Sequence, residues 1–202
     1  PSSPRVSLVT TDGFLLPNSE LSRPVVVKRK GFPESYDRRA LRDFIASVKS
    51  GAAKVSAPVY SHLAYDIVPD DKVVVTRPDI LIVEGLNVLQ PATLRENEET
   101  ALAVSDYFDV SIYVDADPAH VRSWYIERFL SLKASSFGRP DSYFKAFSKL
   151  TDEEATARAC HIWDTINAPN LVQNIAPTRS RATIILSKGS DHSVESVRLR
   201  KL

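Results

Sequence analysis

Three acidic residues follow short apolar runs in the sequence, where a carboxylate can serve in proton transfer or metal binding. Asp12, Glu84 and Asp115 come after VSLVT, DILIV and VSIYV. In open parallel sheets, ligands gather outside the carboxyl ends of the strands. Asp12 precedes Gly13, a residue that lets a backbone or a ligand approach closely. Asp12 is therefore either the cap of a turn or a group that acts on a ligand.

Of the two remaining acids, Glu84 and Asp115, only Glu84 lies in a sequence pattern known from nucleotide-binding proteins. An acid after a hydrophobic strand is the Walker-B type of arrangement, in which a carboxylate organises Mg²⁺ on a nucleotide. The pattern is weak by itself, because acids are common at strand ends. We interpret Asp115 as a structural residue.

The segment APVYSHLAYDIVP carries two phenols and an imidazole within six positions. If the segment is extended, Tyr60 and His62 share one face, since side chains alternate along a strand. With Tyr65 nearby, these side chains would line a small polar pocket. The alternative is a hairpin whose aromatic rings only pack.

The segment WYIERFL places Tyr125, Arg128 and Phe129 at helical spacings of three and four, which puts them on one face. A guanidinium beside two rings suits the charge of a phosphate group. The alternative is a surface arginine whose stem covers aromatic packing.

The tail KGSDHSVESVRLRKL ends the chain with a basic cluster. Lys188 and His192 follow a predicted strand, a position from which they would touch the rim of a nucleotide. The alternative interpretation of this tail is solvated charge.

The elements that must position these residues alternate between strands and helices. Near-continuous apolar runs predict strands buried on both faces, at Val6–Thr10, Asp79–Gly85, Val110–Ala116 and Arg181–Lys188, with a shorter edge strand at Lys72–Pro78. Helical spacing and capping signals predict helices at Tyr36–Gly51, Asp117–Phe137 and Thr151–Asn167. This order predicts an α/β fold with a mostly parallel sheet flanked by helices. No linker divides the chain, so we expect a single domain over residues 1–202, with a loop at Leu89–Ala101.

Composition excludes several classes of protein. The net charge of +1 provides no global field toward nucleic acid or an anionic membrane. One cysteine cannot form an internal disulfide, which favours a reducing, cytoplasmic location. No apolar stretch is long enough to cross a membrane. The chain begins with proline and contains no methionine, so we interpret it as a fragment or a processed form.

A phosphate-binding loop of the Walker-A type, G-x-x-x-x-G-K-[ST], is not found in the sequence. None of the six glycines begins that pattern. The nucleotide site suggested by Glu84 therefore has no phosphate cradle within these residues.

Several long motifs occur in an order that closely resembles bacterial type I pantothenate kinase, a P-loop kinase related in fold to uridine kinase and phosphoribulokinase. The motifs are TTDGFLLPN, RKGFPESYD, APVYSHLAYD, PDILIVEGLNVLQ, WYIERFL, DSYF, IWDTIN, NLVQNIAPTR and VRLRK. The resemblance runs from about Val6 to Lys201. It implies ATP-dependent phosphorylation of the primary hydroxyl of pantothenate, the first step towards coenzyme A, with Mg²⁺ as the metal.

The resemblance also implies roles for individual residues. Asp12 would be the general base or hydroxyl-orienting group, and Arg128 would stabilise the transferring phosphoryl group. Glu84 would lie near the magnesium ion, and Lys188 and His192 near the adenine. Contacts to pantothenate would come from Tyr60, His62, Tyr65, Tyr125, Phe144 and Asn167. Feedback inhibition by coenzyme A and a homodimer are further expectations from the family.

In that family the Walker-A strand and loop precede TTDGF, so the resemblance implies a kinase domain that is truncated at its N-terminus. We expect these 202 residues alone not to phosphorylate pantothenate at a useful rate. Two alternatives remain: a related P-loop kinase that acts on a nucleoside or sugar phosphate, and a non-catalytic module that keeps the ligand pocket.

Overall fold

The computed structural model of the chain describes residues 3–21, 29–92 and 102–201. The predicted loop lies, from residue 93 onward, outside the described residues. The chain divides into unit 1, Pro1–Tyr60 with Asp66–Asp109, and unit 2, Ser61–Tyr65 with Val110–Leu202. In chain order the main elements are β1 (Val6–Thr10), α1 (Arg38–Lys49), β2 (Val55–Ser61), β3 (Asp66–Val75), β4 (Ile80–Glu84), β5 (Ile112–Ala116), α2 (Pro118–Ser135), α3 (Asp152–Ile162), β6 (Ile184–Lys188) and β7 (Val194–Leu199).

Strands β1 and β4 form a parallel pair in unit 1. Val6 lies opposite Ile80 and Thr10 lies opposite Glu84, so the two strands end at the same edge. The predicted strand at Val6–Thr10 is confirmed, and β4 lies within its predicted limits. The residues that follow both strands therefore share one edge of this pair.

The prediction that these strands are buried on both faces is wrong for the described residues. Val9 is 2% exposed in the core of unit 1, whereas Leu8 is 57% exposed and Ile82 is 48% exposed. Side chains alternate along a strand, and one face packs on the core that includes Phe44 and Ile45. No described element covers the opposite face.

Helix α1 supplies much of the apolar core of unit 1. Asp37 caps its N-terminus, where the side chain accepts a hydrogen bond from the amide of Ala40 at 2.9 Å. Gly51, just past its C-terminus, has a φ of +82°, the left-handed conformation that favours glycine. The predicted helix is confirmed, with Tyr36 and Asp37 preceding its first turn.

Strands β2 and β3 pair with each other, and the chain turns between them at residues 62–65. The extended interpretation of this segment is wrong, because β2 ends at Ser61 and His62 lies in the turn. The predicted edge strand at Lys72–Pro78 is part of the longer β3, which ends at Val75.

Unit 2 contains a three-stranded sheet in the order β5-β6-β7. Strand β6 pairs parallel with β5 and antiparallel with β7. Together with the β1–β4 and β2–β3 pairs, the described strands therefore form three separate sheets, where the sequence predicts one. Strand β7 was not predicted, since its charged residues favour a solvated tail. Leu199 is 72% exposed, and β7 is held by its backbone ladder to β6 rather than by burial.

Helices α2 and α3 begin where their capping residues predict. The Asp117 carboxylate accepts from the amide of Ala119 at 2.7 Å, with Pro118 at the first helical position. Thr151 and Glu154 form a capping box at the start of α3. The predicted end at Asn167 is wrong for the α-helix, which ends at Ile162 and continues as a π-helix. No described helix is both long and apolar enough to span a membrane.

Replacing Gly85 with alanine should destabilise unit 1. A β-carbon at Gly85 would overlap Oγ1 of Thr11, whose residue is 1% exposed. Overpacking of this kind typically costs about 1–3 kcal/mol, and urea denaturation measures it. The matched variant is Gly138→Ala, where the nearest atom would lie at 4.0 Å. Equal unfolding midpoints for the two variants would contradict the packing argument.

Acid should remove the contribution of Asp79 to the stability of the folded protein. Asp79 lies at the N-terminal end of the β1–β4 pair, where it binds Arg5. Hydrogen bonds from the side chain and backbone amide of Arg5 lower the pKa of Asp79 from 3.8 to about 2. Its contribution is therefore complete above pH 3.8 and is lost as the pH falls through about 2. The thermal midpoint of Asp79→Asn should lie below that of the wild type at neutral pH and converge with it near pH 2.

Arg5→Gln should reproduce only part of that difference, because the Arg5 amide still donates to Asp79 at 2.7 Å. A gap between wild type and Asp79→Asn that persists in strong acid would contradict the assignment.

Candidate functional site

Asp12 lies in a 3₁₀ turn, Thr11–Phe14, that follows β1 directly. Thr11, Gly13 and Phe14 are buried in this turn, and Asp12 is its half-buried member. A β-carbon at Gly13 would overlap the carbonyl oxygen of Pro58 in β2. The backbone of the turn therefore packs closely against a neighbouring strand, which fixes the origin of the Asp12 side chain.

The phenol of Tyr36 reaches Asp12. Tyr36 Oη donates to Asp12 Oδ1 across 3.5 Å. The two segments are aligned by backbone pairing, since Leu15 forms an antiparallel bridge with Tyr36 and the amide of Asp37 donates to the carbonyl of Phe14 at 2.8 Å. The tyrosine is thus held in register with the turn that carries the aspartate.

The pKa of Tyr36 is raised well above its ordinary value. Burial is the largest cause and the charge of Asp12 the next, while hydrogen bonding with Asn87 and Thr11 opposes the rise. Asn87 follows β4 and donates from Nδ2 to the carbonyl of Gly31 at 2.8 Å. The edge where β1 and β4 end therefore carries a polar cluster with a neutral phenol inside it.

Glu84 is the last residue of β4 and is exposed at that edge. No three His, Cys, Asp or Glu side chains in the described ranges are placed to hold a metal ion. One accessible carboxylate still fits Mg²⁺, which proteins usually hold through one or two carboxylates together with substrate phosphates and water. Glu84 is thus a suitable oxygen ligand for Mg²⁺ brought by a nucleotide.

Tyr60 is half-buried near the end of β2 and lies beside a buried lysine. The Lys30 side chain is 2% exposed, and its Nζ lies 5.1 Å from the Tyr60 ring centroid and 3.8 Å from Asp66 Oδ1. Burial lowers the pKa of Lys30, and the charge of Asp66 opposes that change. Lys30 therefore brings a cation against the ring of a predicted ligand residue.

In unit 2, the Tyr65 and Phe144 side chains are in contact, whereas His62 is exposed. Tyr65 packs on Phe144 with ring centroids 5.1 Å apart and on Tyr143 at 5.0 Å. Its φ of +56° is unusual for a bulky side chain. Such strain persists only where the surroundings hold it, and this aromatic packing is one of the contacts that surround Tyr65.

Tyr125 and Asn167 form a second pair in unit 2. Burial raises the pKa of Tyr125, and a hydrogen bond with Asn167 opposes the rise. The Tyr125 ring also lies 5.8 Å from the ring of Trp163, which precedes Asn167 in the π-helix. π-helical turns are rare and frequently occur at functional sites.

Arg128 projects from α2 into solvent, one residue before the buried Phe129. Phe129 packs on Phe137 at 5.3 Å within the aromatic core of unit 2. The prediction that Arg128 and Phe129 share one helix face is wrong, because consecutive residues differ by about 100° in direction and only the ring is buried. Arg128 is therefore an exposed cation on an ordered helix. Asp115, interpreted as structural, pairs with Arg179 at 2.8 Å.

Lys188 and His192 come together at the turn between β6 and β7. Lys188 Nζ lies 3.0 Å from His192 Nδ1, and the His192 ring stacks on Trp124 of α2 with centroids 4.1 Å apart. His192 has a φ of +68°. Trp124 Nε1 donates to the carbonyl of Ser190 in the same turn, at 2.9 Å.

Three residues of these clusters were missed in the sequence, namely Tyr36, Lys30 and Trp124. All three lie inside motifs that carry the resemblance, RKGFPESYD and WYIERFL. Trp124 adjoins the predicted site residue Tyr125, whereas RKGFPESYD contains no predicted site residue. The partners of all three residues are distant in sequence.

Comparisons with known proteins show a family and individual proteins to which the chain is similar. The Phosphoribulokinase / Uridine kinase family matches residues 32–131. The chain is 60% identical, over all of its 202 residues, to the pantothenate kinase of Nocardioides sp., of which it covers 61%. It is 58% identical to the pantothenate kinase of Myxococcus xanthus, covering 64% of that protein. The chain thus spans less than two thirds of the length of these curated relatives.

Solved structures share the fold. D-glycerate 3-kinase from Cryptococcus neoformans matches 98% of this chain and 80% of its own, with a TM-score of 0.64 and 15% identity. Phosphoribulokinase from Rhodobacter spheroides matches 98% of this chain and 71% of its own, with a TM-score of 0.55 and 14% identity. At these identities the likeness concerns the fold alone, and it confirms the predicted α/β class.

Identity to pantothenate kinases extends over the whole chain, and the motifs that carry it occupy the strand ends and helices described above. Residues 32–131 are thus similar to the phosphoribulokinase and uridine kinase family, and the whole chain is similar to bacterial proteins named pantothenate kinase.

Proposed function

We propose that the protein transfers the γ-phosphoryl group of ATP to the primary hydroxyl of pantothenate, forming 4'-phosphopantothenate and ADP in the first step of coenzyme A biosynthesis. The observation that carries this proposal is the identity of 55–62% to proteins named pantothenate kinase over nearly the entire chain. The kinase fold of solved structures that match 98% of the chain supports it.

Asp12 is the proposed general base. Its carboxylate accepts the proton of the substrate hydroxyl as that oxygen bonds to the γ-phosphorus and the bond to the ADP oxygen breaks. The half-buried position at the carboxyl end of β1, where ligands gather in parallel sheets, supports this role.

The proposed pantothenate contacts fall into groups that the structure describes separately. Phenols and an amide suit a substrate that carries hydroxyl, amide and carboxylate groups, because each then finds a hydrogen-bond partner. The proposed contacts are Tyr60 in unit 1 and His62, Tyr65, Tyr125, Phe144 and Asn167 in unit 2.

Basic residues of unit 2 are the proposed partners of the nucleotide. Arg128 stabilises negative charge on the transferring phosphoryl group, for which an exposed guanidinium on an ordered helix is suited. Lys188 and His192, joined at the β6–β7 turn, contact the adenine portion of ATP. Glu84 holds Mg²⁺, which supplies charge neutralisation on the phosphates when bound.

Further proposals rest on the family resemblance alone. They are that residues 1–202 belong to one kinase domain, that the protein is a cytoplasmic homodimer, and that coenzyme A inhibits it.

Asp12→Asn should lower kcat by about 10²–10⁴-fold, the usual contribution of a general base. The gene product that carries this chain would be assayed by coupling ADP release to NADH oxidation, with pantothenate as acceptor. The control is Asp109→Asn, which removes an exposed carboxylate of the same unit that binds Lys49 at 2.8 Å. Full turnover in Asp12→Asn would refute the assignment of the base. Turnover with uridine but not pantothenate would instead favour a nucleoside kinase.

Asn167→Ala should raise KM for pantothenate by about tenfold, with a smaller effect on kcat, because it removes a contact made equally in the ground and transition states. Gln173→Ala is the matched control, since it removes an exposed amide from the same helical region. Steady-state kinetics at saturating ATP separate the two parameters. An unchanged KM would remove Asn167 from the pantothenate contacts.

A further inference from the structure

We propose that Tyr36 is a positioning residue that orients the Asp12 carboxylate for proton transfer, an inference that rests on the proposed function. The hydrogen bond from Tyr36 Oη to Asp12 Oδ1, at 3.5 Å, is the contact through which it acts. Tyr36 itself is 7% exposed, and none of its atoms reacts in the proposed phosphoryl transfer.

The backbone around Tyr36 fixes where its hydroxyl lies. Besides the Leu15 bridge, the amide of Leu16 donates to the carbonyl of Ser35 at 2.8 Å. Ser35 is fully buried, and its hydroxyl donates to the carbonyl of Phe32 at 2.7 Å. The phenol is therefore carried by a segment that is tied both to the Asp12 turn and to its own preceding turn.

The electrostatics keep the phenol protonated. Burial and the nearby carboxylate both raise the pKa of Tyr36, so the group stays a neutral hydrogen-bond donor at neutral pH. A donor on Oδ1 restricts rotation of the carboxylate, and the second oxygen retains lone pairs for the substrate proton. Orientation of this kind favours the transition state over the ground state.

The test is a double-mutant cycle in the gene product that carries this chain. Tyr36→Phe keeps the buried ring and removes only the hydroxyl, and kcat should fall by about 10- to 100-fold, as for hydrogen-bond partners that orient metal ligands. KM for pantothenate should stay within about twofold. In an Asp12→Asn background the same change should cause little further loss, because the phenol then has no base to orient.

The matched control is Tyr107→Phe, which removes a hydroxyl from another tyrosine packed on the core of unit 1. Its kcat should equal that of the wild type. Equal losses from Tyr36→Phe in the wild-type and Asp12→Asn backgrounds would show an independent structural effect and overturn the proposal.

A second readout needs no activity. In protein labelled with ¹³C at the tyrosine ζ-carbon, Asp12→Asn should shift the Tyr36 resonance, whereas Asp109→Asn should leave it in place. If the chemical shift of Tyr36 is unchanged by Asp12→Asn, the proposed contact is overturned, even if Tyr36→Phe fails to fold. Wild-type protein without pantothenate-dependent turnover refutes the proposed function instead, and the resonance shift then still decides whether the phenol contacts the carboxylate.

Discussion

The parallel pairing of β1 with β4 is the constraint on which the candidate chemistry of unit 1 depends. It brings the ends of both strands to one edge, where Thr10 lies opposite Glu84. Two close approaches then fix the turn that carries Asp12: Thr11 packs against Gly85, and Gly13 packs against Pro58 of β2. Because a side chain at either glycine would overlap these neighbours, the carboxylate starts from a rigid backbone.

Helix α2 organises unit 2 by sending consecutive side chains into different surroundings. Trp124 stacks on the His192 ring at the β6–β7 turn, and Tyr125 forms a hydrogen bond with Asn167. Arg128 points into solvent, while Phe129 enters an aromatic core. Successive residues of a helix differ by about 100° in direction, so one short motif serves several clusters.

Local physics explains which elements were predictable. Capping residues such as Asp117 and Thr151 satisfy amides within their own first turn, and the sequence therefore marks those helix starts. Strand β7 depends on a ladder to β6, and its exposed, charged sequence carries no burial signal. Burial of both faces of β1 and β4 was predicted wrongly for a similar reason. Apolar residues along a strand do not show which other elements pack against each face. The π-helical end of α3 also has no local signature.

The sequence alone determined the fold class, the acids at the strand ends and, through its motifs, a resemblance to pantothenate kinases. The fold class and the strand ends follow from periodicity and composition over a few neighbouring residues, which local sterics and hydrogen bonding decide. Only the tertiary structure decided that Tyr36 reaches Asp12, that Lys30 lies by Tyr60 and that Trp124 stacks on His192. Such partners are 24 to 68 residues apart, and their contact depends on how the chain packs rather than on their spacing.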